Sequence, residues 1–234
     1  MKIVKLLSII TAVFLAAHGV SNAYIISINA ATVPPSGGGI SNAAGSALTP
    51  AAGLLQLGFF TADGTLGGAV LDNAGILALG ADPLALSASF VQVAQTTNIT
   101  VGPNNGFVNE TIAIASNPDG EQVTPFTFAE YDTNINGKDV YAFVLGTNTV
   151  EAGSDFGVFD LGASTFVSGA DAANNLTSVS LAASDVTALY GSTTGPVIFP
   201  NAPASIQLVP EPSVGLFGMI AAFGMVLRRR RARS

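Results

Sequence analysis

Residues 124–145 read TPFTFAEY, DTNING, KDVYAFVL. In the first block Phe126, Phe128 and Glu130 fall on one face of an extended chain. In the last, Val140, Ala142 and Val144 oppose Tyr141, Phe143 and Leu145. A period of two marks a strand, because successive Cβ atoms point to opposite faces of the pleat. Between the blocks, Asn136-Gly137 suits the positive φ of a tight turn. The stretch predicts an antiparallel hairpin, with strands at 124–131 and 138–145.

The same grammar extends along the chain. Residues 54–61 (LLQLGFFT) form a continuous apolar run, read as a buried strand closed by Asp63-Gly64. Residues 155–161 (DFGVFDL) set Phe156, Val158 and Asp160 against Phe159 and Leu161. Segments 24–29, 90–96, 107–115, 178–182 and 204–208 also read as strands, with turns at 103–106 and 117–120. Residues 34–50, rich in Gly, Pro, Ser and Ala, read as a loose loop. Residues 71–79 and 83–87 read as short helices or irregular connections, and Ser184-Asp185 as the cap of a short helix to 190. About eight short strands punctuated by Gly, Asn and Pro predict an all-β fold. The expected architecture is an antiparallel β-sandwich or jelly-roll-like body over 24–208.

Composition excludes several function classes. The chain has 234 residues, no Cys and one His, His18, which lies near the N-terminus. The body therefore holds no disulfide framework, no Cys or His nucleophile system and no His- or Cys-ligated zinc. Between 24 and 208 there is one basic residue, Lys138, against fourteen acidic ones, a net charge of −13. Nucleic acid needs Lys and Arg to replace its counterions, so it is excluded as a partner of the body.

The two ends differ from the body. Lys2 and Lys5 precede an apolar stretch at 6–17, and Ser21-Asn22-Ala23 offers small residues for signal peptidase. Residues 1–23 are read as a cleaved signal helix that hands the chain to the Sec export machinery. At the other end stand Val209, Pro210, Glu211, Pro212 and Ser213, then uncharged residues to Leu227, then Arg228, Arg229, Arg230, Arg231, Ala232, Arg233 and Ser234. The prolines hold the chain extended, and Ser213 can cap a helix. Fifteen residues at 213–227 span roughly 22 Å, short of a hydrocarbon core of roughly 30 Å. The predicted transmembrane helix is thus a minimal one, and the Arg-rich tail at 228–234 forms a cytoplasmic stop.

This order of motif, span and arginine cluster over 209–234 resembles the PEP-CTERM sorting signal of Gram-negative bacteria. The resemblance implies an exosortase as the handling enzyme and an outer-surface or exopolysaccharide-matrix destination. Three domains are expected: a signal peptide (1–23), a body (24–208) and a sorting signal (209–234). The mature protein would pass through the cytoplasmic membrane, body outside, to the cell surface or matrix. Segments such as LQLGFFTADG, GKDVYAFVLG and FGVF also resemble a common body type among these proteins, one that carries no known activity.

Candidate chemistry in the body is sparse. Asp132, Asn134, Asn136 and Asp139 place oxygen ligands at near-alternating positions around Gly137, as at the start of a calcium loop. The twelfth position, where a bidentate carboxylate belongs, is Phe143. An Asx-rich turn accounts for the same residues more simply, with calcium as the alternative. Glu130 with Asp132, or Asp155 with Asp160, could pair as glycosidase carboxyls, which need about 5–10 Å between them. Neither pair meets the wider requirements of an active site, and the chain lacks Trp for stacking on sugar. No catalytic residue and no cofactor are assigned. The leading expectation is a non-enzymatic exported protein. The alternatives are a carbohydrate-binding or adhesive module, with or without calcium, and a polysaccharide hydrolase.

Overall fold

The structure, a computed structural model, describes residues 25–29, 38–49, 53–97, 99–101, 104–113, 130–166 and 176–212. The segments expected to form a signal (1–23), a span (213–227) and an arginine-rich stop (228–234) lie outside the described residues. Among the described residues no helix is long and apolar enough to cross a membrane. The elements in chain order are β1 (Ile25–Asn29), β2 (Ile40–Ser41), β3 (Leu54–Phe60), α1 (Asn73–Ala78), α2 (Pro83–Ser89), β4 (Phe90–Thr96), β5 (Thr100–Val101) and β6 (Asn104–Asn105). They continue with β7 (Glu110–Ala113), a π-helical turn (Tyr131–Ile135), β8 (Asp139–Leu145), β9 (Phe156–Thr165), β10 (Leu176–Ser180), β11 (Thr187–Tyr190) and β12 (Ile206–Gln207).

The protein is mostly β and is organised on a five-stranded antiparallel sheet in the order β11-β9-β8-β3-β4. All of β3 is buried, and so is β8 after Asp139. A strand covered on both faces carries apolar side chains at successive positions. This is why LLQLGFF and VYAFVL are apolar at both parities. One face carries a line of rings: Phe60 against Phe90 (4.9 Å), Phe60 against Tyr141 (5.7 Å) and Phe90 against Phe143 (5.6 Å). The opposite face sets Phe59 against Phe166 edge-on at 6.4 Å. Phe143, Phe156 and Phe159 are wholly buried, each worth about 1.5–3 kcal/mol of transfer energy.

The predicted hairpin does not form. β8 pairs with β3 (Gly58 with Tyr141 to Leu54 with Leu145) and with β9 (Tyr141 with Asp160 to Leu145 with Phe156). Both edges of 141–145 are thus taken by β3 and β9. Residues 131–135 form the π-helical turn instead, and 114–129 lie outside the described residues. The turn signal itself was read correctly: Gly137 takes φ +75°, and its N–H donates to Phe166 O at 2.7 Å. It leads β8 into the sheet rather than back onto its predecessor. A strand apolar on both faces gains most between two neighbours.

Two further expectations change. Residues 187–190 are a strand on the β9 edge, not a helix. The long β9 offers an unpaired edge, and backbone groups there need partners. The presumed loop at 34–50 contributes β2, with Ile40 wholly buried. β2 pairs in parallel with β12, and a Cβ on Gly38 would lie 1.8 Å from Ala204 O, so only glycine allows this approach. A three-stranded sheet, β10-β1-β7, stands apart from the large sheet, with β10 packed against β9. In it β1 runs parallel to β10 and antiparallel to β7, so the antiparallel pattern holds for the large sheet but not throughout. The short segments at 73–78 and 83–89 are helices, capped by Asp72 (to Gly75 N, 2.8 Å) and Asp82 (to Leu84 N, 2.9 Å).

Candidate functional site

The segment Val209–Pro212 begins inside the fold. From β12 onward successive N–H groups alternate between two neighbours. On one side Ile206 N donates to Gly39 O (3.0 Å) and Leu208 N to Ser41 O (2.9 Å). On the other, Gln207 exchanges bonds with Ser192 (2.8 and 2.9 Å), and Val209 exchanges bonds with Phe156 (2.8 and 2.9 Å). Side chains reinforce the inner edge: Ser41 Oγ and Ser205 Oγ meet at 3.0 Å, and Ser205 Oγ donates to Pro196 O at 2.8 Å. Ile206 and Leu208 are buried in the core.

Pro210 ends this pairing, because it has no N–H to donate. It is exposed, as is Pro212. Glu211 between them is half-buried, and its carboxylate accepts a hydrogen bond from Gly153 N in the turn before β9. Gly153 takes φ +82°, a left-handed conformation that glycine adopts without strain. The motif therefore divides. Val209 is part of the sheet structure, Glu211 is clipped to a neighbouring turn, and the prolines face solvent. Arg228, Arg229, Arg230, Arg231 and Arg233 lie outside the described residues.

The calcium-loop residues are spread over three local conformations. Asn134 is half-buried in the π-helical turn, Asn136 is exposed in the turn after it, and Asp139 opens β8 opposite Thr165. Asp132 belongs to the π-helical turn as well. Among the described residues there is no cluster of three or more His, Cys, Asp or Glu able to hold a metal ion.

The carboxyl pair Asp155 and Asp160 does not converge on a cleft. Five residues of strand separate them by about 17 Å and put them on opposite faces. Each is also engaged elsewhere. Asp155 Oδ2 accepts from Ala43 N (2.9 Å), while Asp160 accepts from Asn73 Nδ2 (2.8 Å) and Gly162 N (2.9 Å).

The Asn73–Asp160 contact belongs to a polar cluster that sequence reasoning missed. Tyr141 Oη donates to Asn73 Oδ1 (2.9 Å), whose amide then donates to Asp160. The chain Tyr141–Asn73–Asp160 ties α1 to β8 and β9. Burial first, then the negative charges of Asp160, Asp139 and Asp72, push the Tyr141 phenol up to about 12. The group stays neutral at ordinary pH, donates one hydrogen bond and is structural. Its signal was present in the sequence: Asp160 shares strand parity with Phe156 and Val158, and an acid on an apolar face needs a partner. Nothing local pointed to Asn73, 87 residues away.

Comparison with protein-family models, with curated proteins and with solved structures finds no match to this chain.

Proposed function

We propose that this chain is an exported protein without enzymatic activity. An N-terminal signal carries the body across the cytoplasmic membrane, and a PEP-CTERM signal at 209–234 sorts it to the cell surface or matrix through an exosortase. The observation that carries this reading is the order of the C-terminal residues. Pro210-Glu211-Pro212 is followed without a linker by fifteen uncharged residues and then by the arginine cluster. The apolar segment suits a short-lived span better than a lasting anchor, because it falls short of a typical hydrocarbon core. The body is read as a β-sandwich, a reading supported by the packing of β10, from the three-stranded sheet, against β9 of the large one. Its net charge of −13 suits a soluble surface that does not adhere to anionic lipid or polysaccharide.

The test uses the full chain in a host that carries an exosortase. Replacing Pro210, Glu211 and Pro212 together by Ala leaves a full-length, membrane-bound protein, seen as an unshortened band in the membrane fraction. Equal processing of the triple variant and the parent would refute the motif's role.

A further inference from the structure

We infer that the body keeps Glu211 after processing, and that the scissile bond lies on its C-terminal side. This rests on the sorting reading above. A protease or transpeptidase needs an extended substrate strand with free backbone edges. Residues 206–209 have neither edge free. Their N–H groups are bonded alternately to Gly39 and Ser41 on one side and to Ser192 and Phe156 on the other. Any cut N-terminal to Val209 would first extract this strand, with Ile206 and Leu208, from the core. Glu211 extends the protected region by one further contact, its carboxylate on Gly153 N, across 58 residues of sequence. Pro212, exposed, is the first residue beyond that contact. Among the described residues the bond beyond the clip is therefore Glu211–Pro212.

The arrangement also defines what is released. A body that ends at or beyond Glu211 keeps the contacts described above, whereas one cut at Leu208 would lose the Val209–Phe156 pair.

The test has two arms. In the first, the purified full-length protein in detergent is digested with proteinase K under native conditions, and the C-terminus of the resistant core is read by mass spectrometry. The expected front stands at Glu211 or later. Glu211→Ala moves it back to about Val209, and Val209→Pro, which removes a strand donor, moves it into 205–208. A front at or before Pro210 in the parent protein under native conditions overturns the inference. In the second arm, the C-terminus of the exosortase-processed protein is determined. An end at or after Glu211 supports the inference, and an end at or before Pro210 overturns it. The first arm needs no exosortase. A protected front with no processing in the cell would therefore sink the sorting reading and leave the clip standing.

Discussion

At the residue scale the most informative side chain is Tyr141. Its phenol is held neutral to about pH 12 by burial and by nearby carboxylates, against an unfolded value near 10. A raised folded pKa means that the native state holds its proton where the unfolded chain has lost it. This contribution to stability is complete below pH 10 and fades as pH rises through 12. Thermal melts across pH 8–12 are predicted to show a decline in stability above pH 10 that Tyr141→Phe flattens. At pH 7 the same variant is predicted to cost about 1–2 kcal/mol, since Asn73 loses the donor to its carbonyl. An unchanged alkaline slope in Tyr141→Phe would assign the decline to other groups.

At the scale of elements the large sheet is held in register by a bulge. The pairing of β3 with β4 shifts between Leu57 and Gly58. A Cβ at Gly58 would lie 2.1 Å from Val91 O and 2.7 Å from the Phe90 ring. Gly58→Ala is therefore predicted to destabilise by about 1–3 kcal/mol, read as a lower urea midpoint with little change in slope. Retention of the parent midpoint would mean that β4 moves aside at no cost. The strands at 54–60, 90–96 and 156–165 were legible because their apolar pattern is local. Their partners were not. Tyr141 finds Gly58 and Asp160 as neighbours rather than a residue of its own predicted hairpin, and strand pairing is chosen by long-range packing that one segment does not encode. The strand at 187–190 was missed for the same reason: the β9 edge overrides a weak local cap signal. In the C-terminal motif the two prolines were readable as extended chain. The bond from Gly153 N to Glu211 was not, because the turn that offers it lies 58 residues earlier.

At the scale of the whole molecule, the closing strand fastens the C-terminal end of the body to β2 on one side and to Ser192 and Phe156 on the other. Among the described residues the chain is thus fastened to the body as far as Glu211. On the proposed reading, the body folds after export, and sorting and processing then act on a body closed by its last strand, whose core contacts are kept when it leaves the membrane. The most direct test is to follow the full-length chain in paired host strains with and without the exosortase. The account predicts a shortened body in the outer or extracellular fraction of the first strain. In the second it predicts a full-length, membrane-held chain with its body outside the cytoplasmic membrane. The same full-length, membrane-held protein in both strains would contradict it.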